Sequence, residues 1–455
     1  MTAVKISCIN NKKSNYKYKI INIIIIKLLS KYNMNRIKIL FLVSAIFFTI
    51  FLVSVFGCKS AAAKDGNVLN KGTVIRIALV MPVEGRYAFF GKQFVNGMLL
   101  SLKRSGASEV KFIIVNLPLS AGKTSIYGLF KSLSKKGVSA IIGPLFAGQL
   151  KYFAKYSDEF KIPVITPSPV AAKKDLSHYV FGYGMTLKQE IKTEIQYAGE
   201  QGIKSVSVIY PDYGYGSKIL EYINNFAKKY GINLLNQTAY AENTVDFFDN
   251  FNNIVTFNGI GNLHVSAAEK AELGITKYDL MHGITKSRPN IPFDGLFVIG
   301  GNSKIKLILT QLVYYNITGF PIFGLSSLDS SRFIEKNGFY MENSIFPDGF
   351  FKHADNKIVK NFSSDYKQTY GKTPNILSAE GYDIGGIIIK AAGKVNLSKN
   401  KNVSGVKFYH AILKIKKFKG VCGIVNLKNN IFKKSLYLFN YKNGKIYILK
   451  NPLEG

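Results

Sequence analysis

Residues 74–100 read VIRIALVMPVEGRYAFFGKQFVNGMLL. Val74–Met81 is a short, apolar, β-branched run, the pattern of a strand buried among neighbours. Pro82–Phe90 interrupts it with proline, glycine and aromatic residues. From Gly91 to Arg104 the apolar residues Phe94, Val95, Met98, Leu99 and Leu102 recur at helical spacing. A buried strand, a loop and an amphipathic helix in that order are the opening unit of a parallel α/β sheet.

The rhythm continues outward from this unit. Lys111–Asn116 reads as a strand, Lys123–Lys136 as a helix, Ser139–Ile142 as a strand stopped by Gly143-Pro144, and Leu150–Phe160 as a helix. Pro163–Thr166 and Tyr179–Tyr183 read as further strands. A second block then begins, with helices at Leu187–Gln201, Gly216–Tyr230, Asp246–Phe257 and Lys304–Tyr315. The strands Ser205–Tyr210, Asn233–Ala239 and Gly295–Ile299 fall between them. Two blocks of alternating strands and helices imply two doubly wound lobes, an α/β fold with helices on both sheet faces.

Residues 258–292 are polar, carry glycine and proline, and read as a surface insertion with one short helix. Strands resume at Pro321–Phe323 and Asn343–Phe346, and helices follow at Ala354–Tyr370 and Asn375–Ala392. The chain closes in hairpin-like strands, with turns expected at Lys428-Asn429-Asn430 and Asn443-Gly444.

The N-terminal region has a different chemistry. Ile39–Gly57 is uncharged and apolar, follows Arg36 and Lys38, and ends at Cys58. A basic flank, an apolar core and a small residue before the cut form an export signal. Val55-Phe56-Gly57-Cys58 resembles a bacterial lipobox. On that reading residues 1–57 are a leader and lipoprotein signal, Cys58 carries lipid, and 58–73 is a linker. An uncleaved membrane anchor is the alternative, since nineteen apolar residues can span a bilayer; both readings export the rest. Met34 offers a second start after a Lys-, Asn- and Ile-rich stretch.

Composition narrows the function. The 455 residues carry a net charge of +34, of which residues 1–57 supply nine Lys or Arg and no acid. The lysines are spread among Ile and Asn without a basic stripe or a nucleic-acid motif, so no nucleic-acid partner is expected. Of the three cysteines, Cys8, Cys58 and Cys422, only Cys422 remains free after processing and lipidation, which excludes an intramolecular disulfide. The five histidines lack metal-ligand spacing. Ala121-Gly122-Lys123-Thr124 looks like the end of a phosphate loop, but Leu117 stands where that loop needs glycine. Neither G-x-S-x-G nor H-E-x-x-H occurs. The expectation is a non-enzyme with no metal or cofactor.

In open α/β sheets ligands bind beyond the carboxyl ends of strands. Four loops there are rich in Gly, Pro and aromatics: Pro82–Gly91, Gly143–Gly148, Thr166–Val170 and Tyr210–Gly216. Their cleft candidates are Arg86 and Tyr87 for an anionic ligand, Gly148, Ser168 as a hydroxyl donor, and Tyr213 and Tyr215 as stacking faces. Gly301 and Asn302, after a strand, suit a backbone approach to the ligand.

These loops resemble the type 1 periplasmic binding proteins of the leucine/isoleucine/valine-binding family. The resemblance rests on MPVEGRYAFFGKQFVNGMLL, on VSAIIGPLFAG (138–148), on IPVITPSP (162–169), on IYPDYGYG (209–216), on AEGYDIGGIIIKAAG (379–393) and on FKGVCGIVNL (418–427). Leu309–Leu312, Ile322–Gly324, Ser344–Phe350 and the 258–292 insertion are similar to a lipoprotein branch known as penicillin-binding protein activators. The resemblance implies two Rossmann-like lobes joined by three crossovers. Residues 74–185 with 320–432 would form lobe 1, and 186–319 with 433–455 lobe 2. It also implies a small polar ligand, such as an amino acid or derivative, bound by hinge closure.

Two departures stand out. Ala147 and Val170 occupy places where amino-acid-binding members carry Ser and Thr, and the acid expected to hold an ammonium in the second lobe has no clear counterpart around Ser326-Ser327-Leu328-Asp329. The expected role is a membrane-tethered, periplasmic solute-binding lipoprotein that serves an ABC permease. The alternative is a regulator of a cell-wall synthase.

Overall fold

The computed structural model describes residues 74–170, 177–258, 288–395 and 402–453, all within one compact unit, Lys71–Gly455. The leader, the linker with Cys58, and residues 259–287 of the insertion lie outside the described residues.

The first segment runs β1 (Ile75–Met81), α1 (Ala88–Ser105), β2 (Val110–Asn116), α2 (Lys123–Lys135), β3 (Ala140–Ile142), α3 (Leu150–Phe160), β4 (Val164–Pro169) and β5 (Val180–Gly184). The next comprises α4 (Leu187–Glu200), β6 (Ser205–Pro211), α5 (Gly216–Tyr230), β7 (Asn233–Tyr240), α6 (Phe248–Asn252), β8 (Thr256–Asn258), β9 (Arg288–Asn290), β10 (Gly295–Val298), α7 (Asn302–Tyr314), β11 (Ile322–Phe323), α8 (Ser331–Asn337) and β12 (Ser344–Asp348). Then come α9 (Lys357–Tyr370), α10 (Ile376–Ala392), α11 (Gly405–Leu413), β13 (Lys417–Gly420), β14 (Gly423–Lys428) and β15 (Ile431–Lys434). β16 (Tyr437–Lys442) and β17 (Lys445–Lys450) finish the chain.

Two large sheets result. One has the order β13-β14-β15-β5-β4-β3-β1-β2, the other β17-β16-β12-β11-β10-β6-β7. β1 shows why its sequence is apolar throughout. Ile75, Ile77, Leu79 and Met81 pack on one face with Phe94 and Met98 of α1 and Ile384 and Ile388 of α10. Ala78 and Val80 pack on the other face with Phe130 of α2 and Phe153 of α3. A parallel strand covered by helices on both sides needs apolar residues at every position. The second sheet repeats the plan: Val206 and Val208 meet α4 and α5, while Ile209 and Val298 meet α7.

The lobe boundaries differ from the expected ones in the middle of the chain. β11 pairs parallel with β10 (Leu296↔Ile322) and β12 with β11, so 320–348 belongs to the second lobe and the second crossover follows Asp348. A short buried parallel strand has the same apolar signature in either sheet, and only its partner tells them apart. Asp246–Phe257 is also less helical than its pattern suggests: α6 stops at Asn252. The β-branched Ile254, Val255 and Thr256 lead instead into β8, which pairs with β9 at the base of the insertion.

Both expected C-terminal turns are present. Asn429 and Asn430 have φ of 53° and 60°, and Asn443 and Gly444 have 51° and 73°. Two central residues at positive φ are what a two-residue hairpin requires, and Asn and Gly tolerate them.

Helices α1 and α10 touch backbone to backbone. A Cβ on Gly97 would lie 2.0 Å from the Ser378 carbonyl oxygen, and one on Gly381 would lie 2.2 Å from that of Phe94. This contact brings the sequence's late apolar helix onto its first.

Candidate functional site

The parallel pairings place the carboxyl ends of β1, β3, β4, β5 and β15 on one edge of the first sheet. The crossovers Gly184–Leu187 and Lys434–Tyr437 leave from that edge. β16 runs antiparallel to β12, with Tyr437 opposite Asp348. All three crossovers therefore meet the second sheet at the carboxyl ends of its parallel strands. The cleft between the lobes is bounded by these crossovers and by the loops at both edges.

On the first lobe, the two glycine- and proline-rich loops are joined by aromatic rings. Tyr87 meets Phe146 edge-on at 5.6 Å, Phe90 meets Phe146 at 6.3 Å, and Phe89 meets Phe90 at 5.8 Å. Phe89 is 57% and Phe90 41% exposed, so this cluster presents apolar surface outward. The exposed Arg86 lies 5.7 Å from the centroid of the Tyr87 ring. Ala147 and Gly148 are exposed at the start of a 3₁₀ turn.

Ser168 does not serve as expected. It is fully buried, and its hydroxyl donates to the Pro144 carbonyl at 2.9 Å. Thr166 donates to the same oxygen at 3.0 Å. Both hydroxyls hold the Gly143-Pro144 loop, which has a cis peptide bond, against the next one. Val170 is buried and packs on Gly182. Residues 166–169 continue β4 instead of forming an open loop, and residues 164–168 of that strand are buried.

The second lobe carries a buried acid beside Ser326 that the sequence did not reveal. Thr186 caps α4 in a capping box with Gln189, which sets the phase of the helix and turns Glu190 and Glu194 inward with Ile191 and Ile195. Glu190 accepts a 2.8 Å hydrogen bond from the Ser326 amide. Burial pushes its carboxyl up, and Ser326 only partly offsets this. Tyr215, 40% exposed, also has its hydroxyl pushed up, by burial first and then by Tyr213 and Glu190. Glu190, Ser326 and Tyr215 thus come together at one end of the second sheet. The signal in the sequence is the pair of glutamates, i and i+4, beside the apolar stripe of a helix that otherwise reads as core.

Tyr213 packs edge-on to Tyr240 at 6.3 Å and is a packing residue as well as a loop residue. Gly301 precedes α7 as its extended, exposed N-cap. Asn302 begins that helix, and its buried Oδ1 has no hydrogen-bond partner among the described residues. Asp329 and Asp348 face each other where β12 leaves the second lobe. Burial raises both, Asp329 to about 6, and the two share a hydrogen bond.

Glu194 is fully buried, and neither carboxylate oxygen has a hydrogen-bond partner among the described residues. Burial, then Glu190, raise its carboxyl well above the usual range. An acid with a raised folded-state pKa contributes stability below its ordinary pKa and loses it as pH rises through the folded value. Glu194→Gln is therefore expected to stabilise the protein at pH 8 by about 1.4 kcal/mol or more, with no gain at pH 4. Denaturant unfolding at the two pH values measures this, and an equal effect at both would show that Glu194 is ionised in the fold.

Under the first and third crossovers lies a buried charge network. Lys434 pairs with Glu380, both side chains being almost fully buried, and its ammonium lies 4.7 Å from the centroid of the Tyr183 ring. Asp383 accepts from the Val421 amide at 2.8 Å, the Cys422 amide at 2.9 Å and the Tyr183 hydroxyl at 3.2 Å. A Cβ on Gly420 would lie 2.3 Å from this carboxylate, which accounts for the glycine of the Phe418–Gly423 motif. Burial raises Asp383 to about 6, against these amides and Lys434. Among the described residues no group of three or more His, Cys, Asp or Glu could hold a metal ion.

The sequence profile described as periplasmic binding protein matches residues 74–256 and 284–445. Several solved structures share the fold. A candidate branched-chain amino acid ABC transporter from Rhodospirillum rubrum is 17% identical, covers 83% of this chain and 100% of its own, and superposes with a TM-score of 0.67. The branched-chain amino acid transporter substrate-binding protein LivJ from Streptococcus pneumoniae, in complex with isoleucine, is 18% identical, with coverages of 83% and 100% and a TM-score of 0.58. A solute-binding protein from R. palustris in complex with benzoate is 17% identical, with coverages of 83% and 95% and a TM-score of 0.56. No curated protein matches the sequence.

Proposed function

Because the chain belongs to the periplasmic binding protein family, we propose that it is the solute-binding lipoprotein of an ABC-type uptake system. It is exported, tethered by lipid on Cys58, and captures a small polar molecule such as an amino-acid derivative as its hinge closes. The observation that carries this reading is the pair of unlike surfaces at the cleft. The first lobe presents the rings of Tyr87, Phe89, Phe90 and Phe146. The second presents Tyr215 with the carboxyl of Glu190 and Ser326 behind it. Rings on one side and a carboxyl on the other suit a ligand with an apolar face and a donor group, and closure desolvates both.

A second reading, a regulator of a cell-wall synthase with a vestigial cleft, is favoured by one specific observation. Ala147 and Val170 bring no hydroxyl, and Ser168 gives its own to Pro144. A ligand carboxylate would then depend on backbone amides and Arg86.

Native mass spectrometry of the full chain extracted from membranes tests both parts of the proposal. The expected spectrum shows a diacylglycerol-modified Cys58 as the first residue and a small molecule that leaves on activation. Tyr87→Ala with Tyr215→Ala should lose that molecule. An unlipidated N-terminus would sink the tether. An empty cleft that no amino acid, peptide or muropeptide stabilises would favour the regulator.

A further inference from the structure

A cavity of about 680 Å³ lies beside the first and third crossovers. α4 and α5 of the second lobe line one side, and the β14–β15 hairpin with Ser435 and Leu436 lines the other. None of the cleft candidates except Val170 reaches it, so it is separate from the aromatic and acidic surfaces of the proposed ligand cleft. Its lining has seven lysines and no Asp or Glu. Lys434 is committed to Glu380, and Lys450 pairs with Glu200 at 2.6 Å. Lys188, Lys192, Lys229, Lys428 and Lys433 have no carboxylate partner among the described residues, and all five are exposed.

We propose that this cavity is a binding site for a polyanion carrying two or more phosphate-class charges. Five ammonium groups without a carboxylate partner around one concavity repel each other and focus a positive potential into it. A multiply charged anion converts that repulsion into charge-assisted hydrogen bonds. The volume falls in the range that encloses small-molecule ligands. Thr193 and Gln196 add neutral polar groups to the α4 wall, while Phe226 and Leu436 supply apolar floor. The chemistry fits both a free polyphosphate and the headgroup of an anionic lipid.

Isothermal titration of the full chain in nonionic detergent with inorganic tripolyphosphate tests the site. Lys192→Gln with Lys433→Gln should weaken binding at least about tenfold. Lys151→Gln with Lys155→Gln, exposed on α3 of the first lobe, removes the same charge elsewhere and should change it by less than about twofold. Lys192→Arg with Lys433→Arg should retain binding and shows that folding is not at issue. Mixed micelles of cardiolipin, whose headgroup carries two phosphates, against phosphatidylcholine, separate the sources. Capture of tripolyphosphate alone assigns a soluble anion, and capture of cardiolipin alone assigns a headgroup. Equal weakening by both glutamine pairs, or no binding of either probe, would overturn the proposal and leave the lysines a solvated basic face.

Discussion

Lys434→Met is expected to lower the unfolding free energy by about 3–5 kcal/mol. The ammonium is wholly buried beside Glu380. Burial alone would pull its pKa down, but Glu380 and its neighbours more than compensate, so it stays charged. Methionine keeps the length of the side chain and removes the charge, which strands the Glu380 carboxylate and takes from Asp383 the cation that helps to hold its proton off. Asp383 would then bind a proton more readily in the fold. A raised carboxyl contributes stability below its ordinary pKa and loses it as pH rises, so the variant should recover part of its deficit near pH 4. Adding Glu380→Gln should also restore part of it, because the residual cost comes from the unpaired charge. Urea unfolding of the two variants and the parent at pH 4 and pH 7 decides the matter. A deficit under about 1 kcal/mol at pH 7 would mean that water reaches the pair and that the network does not hold the crossovers.

The second large effect is expected at the α1–α10 contact. A Cβ at Gly381 meets the Phe94 carbonyl oxygen at 2.2 Å, a distance no real side chain tolerates, and the obstacle is backbone. Gly381→Val must part the two helices, at about 3 kcal/mol, the upper part of the usual range for overpacking a core. Gly393, at the end of α10, is the internal control. Nothing lies closer than 3.7 Å to its hypothetical Cβ and its φ is −65°, so Gly393→Ala should be neutral or stabilising by up to about 1 kcal/mol. Thermal unfolding of both variants is the measurement. Parent-like stability in Gly381→Val would show that the helices slide freely, and the close approach would then carry little of the first lobe's stability.

Much of the fold was legible because its signals are local. The all-apolar β1, the spacing of Phe94, Val95, Met98 and Leu102 in α1, and the Asn-rich turns at 429–430 and 443–444 each need only neighbouring residues to be recognised. Helix α11 escaped notice because GVKFYHAIL is short and mixes its apolar residues with Lys and His; Ser404, accepting from the Lys407 amide, supplies the cap that starts it. In the glycine- and proline-rich loops, residue type left open which way a side chain would turn. Ser168 looked like a ligand donor and is tied to Pro144. Glu190 had no role assigned from its sequence and meets Ser326 across 136 residues of chain.

Local chain chemistry was enough to establish alternating parallel strands and helices, two lobes and the hairpins that end the chain, since period, turn residues and strand polarity act over a few residues. Long-range pairing settled the rest. β11 and β12 joined the second sheet because β10 offered them a partner edge. Lys434 found Glu380, and Asp383 found the Val421 and Cys422 amides, because the crossovers bury them together. The basic cavity exists because the β14–β15 hairpin comes to rest against α4 and α5. Charges spread evenly along a sequence carry no sign of gathering; burial and proximity, which depend on the whole fold, are what bring them to one place.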